Sequence, residues 1–195
     1  NVAMGALALD ANTTGLWNIG IGVYALSSNT TANSNVAIGD SSSANSTTAA
    51  QNTTVGYQSM QSTTTGSSNV VMGFEALRLN TTGGSNTAIG YRSLNANTTG
   101  ASNVALGKDA GNAVTTGAAN VFVGYLAGVY STAVTTGSTN TLIGSYTSAT
   151  TVDSVSAVGL GHSLAAATGY TTIGHGNSDI RAAHGTASWA TVSDE

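Results

Sequence analysis

Aliphatic residues return along this chain at a fixed interval, each followed by glycine. Met4, Ile21, Ile38, Val55, Met72, Ile89, Leu106, Val123, Ile143, Val158 and Ile173 precede Gly5, Gly22, Gly39, Gly56, Gly73, Gly90, Gly107, Gly124, Gly144, Gly159 and Gly174. The first eight glycines are spaced by seventeen residues, and the next gaps are twenty, fifteen and fifteen. An internal repeat of this regularity sets the architecture before any residue is considered for chemistry.

The segment Asn86 to Ser102, NTAIGYRSLNANTTGAS, defines positions 1 to 17 of the unit. Asn occupies position 1 in nine copies, and position 2 is usually Val, Thr or Ile. Position 9 is often Leu or Met, as in Leu9, Leu26, Met60, Leu77 and Leu94, and a Thr-Thr pair, mostly followed by Gly, fills positions 13 to 15. Strand side chains alternate with period two, so positions 2 and 4 share a face. Their aliphatic character predicts that this face is the core, with position 3 pointing the other way. Gly at position 5 and the Asn-Thr-Thr-Gly segment are turn chemistry. Helical repeats usually need more than thirty residues per unit. A seventeen-residue unit spans roughly 56 Å when extended, enough for short strands and turns. The prediction is an all-β fold, a parallel β-solenoid of about eleven coils, about 50 Å long at ~4.8 Å per coil. The expected divisions are regular repeats over 1–144, shorter coils over 145–176 and a C-terminal transition segment over 177–195.

In such a stack equivalent residues lie above one another. Asn18, Asn35, Asn52, Asn69, Asn86, Asn103 and Asn120 are then predicted to form a side-chain ladder, because each amide both donates and accepts. The Thr-Thr columns can do the same with hydroxyls. Position 3 (Ala3, Gly20, Ala37, Thr54, Val71, Ala88, Ala105, Phe122) is uncharged although predicted to face out, and position 8 is also small. This second row of small and apolar residues predicts a flat surface packed against other copies of the chain. A thin coil buries little by itself, so association would add stability. The expected assembly is a cyclic homotrimer.

Composition narrows the function classes. Only 6% of residues are charged, yet 41% are hydrophobic and fall in register, which a disordered linker does not require. The net charge is −4 with no basic cluster, so nucleic-acid binding is not expected. No apolar run approaches the ~20 residues of a membrane-spanning helix, so no membrane insertion is expected. Cys and Pro are both absent. The first excludes disulfides and thiolate metal sites, and the second leaves every amide free to donate to a ladder. Beginning at the first position of a repeat and ending without a stop pattern, the sequence reads as a piece of a longer protein.

Few residues carry candidate chemistry. Tyr57, Phe74, Tyr91 and Tyr125 share position 6, next to Glu75, Arg92 and Asp109 at position 7 and beside Lys108. They form a candidate surface-contact rim, with a solubilising stripe as the plainer reading and a host receptor or glycan as the functional one. His162 and His175 are weak candidates for a metal shared between copies, without His-x-His spacing to support them. No nucleophile elbow, zinc-protease, phosphate-loop or paired-carboxylate pattern is present, so neither an enzyme nor a cofactor is expected. The sequons at Asn12, Asn29, Asn80 and Asn97 read as turn residues. An ice-binding face is disfavoured because the threonines are adjacent rather than alternating.

Asn86-Thr-Ala-Ile-Gly-Tyr-Arg-Ser-Leu and Asn35-Val-Ala-Ile-Gly resemble two related groups. One is the head repeat of trimeric autotransporter adhesins, which folds as a left-handed parallel β-roll in a trimer. The other is the NTAIGY…NTTG repeat of bacteriophage tail fibres and similar appendages. The resemblance covers about residues 1–176, and the uniform unit with NTTG is closer to the phage group. It implies a left-handed homotrimeric fibre in a virion tail, with other tail proteins and a host surface as partners. A head segment of a bacterial surface adhesin, placed at the cell surface, is the alternative. The C-terminal stretch through Ile180-Arg181 to Ser193-Asp194-Glu195 resembles the approach to the intramolecular chaperone of phage fibres and spikes. By that resemblance Ser193 and Asp194 would form the self-cleavage junction, although the following Arg of the family pattern is missing.

Overall fold

The computed structural model describes residues 1–176, 178–185 and 190–192. Nine strands of three residues carry the repeat: β1 (Val2–Met4), β2 (Ile19–Ile21), β3 (Val36–Ile38), β4 (Thr53–Val55), β5 (Val70–Met72), β6 (Thr87–Ile89), β7 (Val104–Leu106), β8 (Val121–Val123) and β9 (Thr141–Ile143). Six more follow: β10 (Ser148–Ala149), β11 (Val158–His162), β12 (Ala165–Ala166), β13 (Tyr170–His175), β14 (Ser178–Ala183) and β15 (Ala190–Val192). No described residue is helical. Strands β1 to β9, then β11 and β13, stack in order as one parallel sheet. The fold is a β-solenoid of about ten turns with a repeat of about seventeen residues. Strands β10 and β12 pair as a small second ladder, and β14 and β15 turn back antiparallel to β13.

The register is in phase throughout the regular part. Ala88 of β6, for example, lies between Val71 of β5 and Ala105 of β7. Further on, the register differs from the sequence spacing. Leu160 pairs with Ile143, so Gly161, not Gly159, follows Gly144, and Gly174 pairs with Gly161. The last intervals are therefore seventeen and thirteen residues rather than fifteen and fifteen. Gly159 instead takes the inward position opposite Leu142, where an added Cβ would stand 3.1 Å from the Leu142 side chain.

The two faces of the strand are the reverse of the sequence expectation. Position 3 is inside: Ala37, Thr54, Val71, Ala88, Ala105, Phe122 and Leu142 are all buried. Positions 2 and 4 face out, with Met72 49% and Leu106 47% exposed. The reason is the thinness of the coil. The bulk inside comes mainly from position 9 (Leu26, Met60, Leu77, Leu94), which crosses the interior, so the residues at positions 3 and 8 are mostly small. Gly20 shows the fit, since an added Cβ there would stand 3.3 Å from Leu9 Cγ. The small residues thus mark a seam within one chain, not a seam between chains.

Corners are made by left-handed backbone. Positions 7, 9 and 17 adopt positive φ although few are glycine, as in Arg92 (φ 52°), Leu94 (φ 48°) and Ser102 (φ 59°). Such conformations cost about 1 kcal/mol or more each for ordinary residues. They persist because each corner is bonded to the next: Arg92 N–H donates to Phe74 O and Leu94 N–H donates to Ala110 O. At position 5 only glycine serves. Gly90 has φ 132°, and an added Cβ would run into the carbonyl of Gly107.

The core is not continuous. One apolar cluster comprises Leu9, Ala25, Leu26 and Ala37, and a second begins at Met60. Between them lie Ser42, Ser43, Thr54 and Ser59, all buried, with Ser42 Oγ 2.8 Å from Thr54 Oγ1 and 2.9 Å from Ser59 Oγ. Ser43 has φ 49°, the conformation of Leu26 and Leu77 in equivalent places, so leucine suits its backbone. The double variant Ser43→Leu/Thr54→Ala joins the two clusters and gains about 1–2 kcal/mol from burial. Calorimetry should show a rise of about 2–4 °C per kcal/mol at this chain length. An unchanged or lower melting temperature would show that the hydroxyl network contributes as much as leucine does.

Candidate functional surfaces

The position-1 asparagines stand in one buried column. From Asn18 to Asn120 each Oδ1 accepts the backbone N–H of the asparagine one coil on, as Asn86 Oδ1 does from Asn103 N–H at 2.9 Å. Each Nδ2 reaches across its own coil to the position-15 carbonyl, as from Asn86 to Gly100 at 3.0 Å. Several amides also pair directly, including Asn69 Nδ2 to Asn52 Oδ1 at 3.1 Å and Asn120 Nδ2 to Asn103 Oδ1 at 3.0 Å. The column runs from Asn18 through Asn35 and continues to Asn140. These side chains clip the strand start to the opposite turn, so their chemistry is consumed inside the rod.

A second column escaped the sequence reading. Asn29, Asn80 and Asn97 are buried, although they were expected to be ordinary turn residues. Asn97 Nδ2 donates to Asn80 Oδ1 at 3.1 Å and to Gly100 O at 2.9 Å. The available signal was their seventeen-residue spacing, masked by the replacement of Asn by Ser46, Thr63 and Val114 in other coils. The threonines at position 13 donate along the rod to carbonyls rather than to other hydroxyls, as Thr64 does to Thr81 O at 3.2 Å, while those at position 14 are exposed.

The aromatic rim and the histidines form one column. Phe74 is stacked between Tyr57 and Tyr91, with centroids 5.2 and 5.3 Å away. Lys108 Nζ lies 5.7 Å from the Tyr91 ring centre and 5.6 Å from that of Tyr125, filling the place of the missing ring by cation–π contact. With the register now fixed, His162 and His175 also occupy position 6. They stack at 5.0 Å and 10°, and Tyr146 from position 7 bridges Tyr125 to His162. Partial burial, then the neighbouring Tyr125, raises the Tyr146 phenol pKa above its ordinary value. Beside His175, burial raises the Asp179 carboxyl pKa, with Arg181 and His175 pulling it back. Glu75 meets Arg92 on the next coil at 3.6 Å, a half-buried pair at the rod surface.

Parallel imidazole planes send their in-plane lone pairs side by side, so His162 and His175 do not converge on one ion. Among the described residues no group of three or more His, Cys, Asp or Glu is placed to hold a metal. Ser193 and Asp194 lie outside the described residues.

The third surface is the outward face of the strands. Ile19, Ile21, Val36, Ile38, Val70, Met72, Ile89, Val104, Leu106, Val121, Val123 and Ile143 line it in two columns, interrupted mainly by Thr53, Thr87 and Thr141. Nine strands at ~4.8 Å make this stripe about 38 Å long. Scattered exposed aliphatics are ordinary, but a file of them this long is not.

The fold defines the chain as a β-solenoid repeat protein. No family model, curated protein or solved structure matches it.

Proposed function

We propose that this chain is a rod segment of a bacteriophage tail fibre or similar virion appendage, working as a homotrimer that supports attachment to a host cell. The observation that carries this reading is the aliphatic stripe at positions 2 and 4. A rod with one apolar face along its whole regular length needs an equally long partner in the same register, and copies of the chain provide one. The left hand of the coil, the number three and the virion setting follow from the resemblance of the NTAIGY…NTTG unit. The role is mechanical: to hold contact surfaces at a distance on a stiff support. A bacterial adhesin head shares the repeat, and gene context separates the two. Tail genes or a downstream chaperone favour the fibre, and a C-terminal membrane anchor favours the adhesin.

Mass measurement under native conditions tests the assembly. Three chains of 19.1 kDa are expected in one particle. A particle of one chain would remove the homotrimer and leave the stripe without an occupant.

A further inference from the structure

The rim changes character where the repeat lapses. From Tyr57 to Tyr91 its rings stack on one another, with Lys108 at the end of the row. A sugar stacks on the face of an aromatic ring, where its C–H bonds meet the negative side of the quadrupole. Phe74 has both faces taken, and Tyr91 lies between Phe74 and Lys108. The coil that follows Asn120 has twenty residues instead of seventeen, and the three additional residues fall between Gly128 and Thr135. They carry Tyr130 outward, 56% exposed, against Tyr146. Tyr130 and Tyr146 meet at 67° with centroids 4.7 Å apart, and Tyr125 meets Tyr146 at 79°. Tilted contacts of this kind leave a ring face uncovered, unlike the sandwiched Phe74.

Hydrogen-bonding groups surround the open ring. The Nδ1 of His162 is engaged by Ser163 Oγ at 3.1 Å, which leaves its other ring nitrogen for a ligand. At position 6 of this coil stands Ser145, so the column has a step between Tyr125 and His162. We propose that Tyr130, Tyr146 and His162, with Tyr125 and Lys108 at one end, form a binding site for an extended glycan chain lying along the rod. The proposal rests on the host-attachment reading and gives that reading its ligand class. Ring faces alternating with hydroxyl and imidazole groups suit a polyhydroxylated chain, whose two faces are apolar and whose edges carry the hydroxyls. From Tyr125 to His162 is two coil steps, about 10 Å, and successive sugars meet successive coils. A homotrimer carries three copies of the site, so a long polysaccharide can be held at several points.

The test is an array of bacterial O-antigen, capsular and teichoic-acid polysaccharides probed with the native rod and two variants. Retention of at least one polysaccharide is expected, with Tyr130→Ala lowering it roughly tenfold or more, the loss typical of one stacking platform. Phe74→Ala, on the sandwiched part of the rim, is expected to bind as the native rod does. Both variants are first checked for unchanged circular dichroism and melting. Equal retention by native rod and Tyr130→Ala, loss in Phe74→Ala instead, or no retained polysaccharide each overturns the site. The assembly is judged separately by mass. A trimer without glycan binding removes this site alone, whereas a single chain that binds glycan keeps the site and removes the trimer.

Discussion

Ala88→Asp is expected to unfold the middle of the rod, while Ile89→Asp, one residue on, leaves each chain folded and breaks the assembly. Ala88 is fully buried, between Val71 and Ala105 on the neighbouring strands and within the cluster that holds Leu77 and Leu94. A carboxylate there has no partner and no water, at a cost of several kcal/mol even if it takes up a proton. Because each coil rests only on its neighbours, the damage spreads to both sides of β6. The side chain of Ile89 faces outward between Met72 and Leu106. Its replacement is solvated in a lone chain but places like charges together where copies meet. Thermal melting by circular dichroism, with native mass alongside, separates the outcomes. Equal melting loss in both variants would show that position 4 also supports the chain's own core.

Phe122→Ala is expected to cost about 3–5 kcal/mol, the usual range for removing a fully buried phenylalanine. Phe122 is the largest wholly buried side chain among the described residues, and the chain makes room for it with glycine at position 9 in two successive coils. A Cβ added to Gly111 would stand 2.6 Å from Phe122 Cδ2, and one on Gly128 would strike the same ring. Gly111→Leu alone should therefore be destabilising through overpacking. Gly111→Leu combined with Phe122→Ala recreates the Leu94 and Ala105 pattern and should recover much of the loss. The coupling energy from the four urea midpoints measures this complementarity. Simple additivity would show that the ring and Gly111 are unrelated.

The period, the parallel stack and the asparagine column were legible because each depends on spacing alone. A ladder of Asn18 to Asn120 needs only equivalent residues to lie above one another. The direction of the strand faces was not legible, because the rule that aliphatics point inward assumes one core per chain. Here Ala88 is inside and Ile89 outside, and only the crossing of Leu77 and Leu94 decides it. The end of the stack was misplaced for a related reason. Gly159 and Gly161 both follow an aliphatic residue, and strand pairing with Thr141–Ile143, not sequence, chooses between them. That choice also brings His162 and His175 into the aromatic column. Corners at Leu94 and Arg92 were hidden because leucine and arginine give no turn signal, and tertiary hydrogen bonds hold them in the left-handed region.

The buried hydroxyls around Ser42, Ser43 and Thr54 bear on how such a rod breaks. Load along the axis passes through every coil in series, so the whole is only as strong as its weakest contact. We expect that contact near β3 and β4, where leucine is replaced by serine and Ser46 Oγ is buried without a partner. Under tension the first three coils should part from the rest as a block, leaving the segment that carries Tyr130 and its neighbours intact. Such a joint lies on the N-terminal side of the surface proposed to meet the host, so parting there would leave that surface on a folded segment.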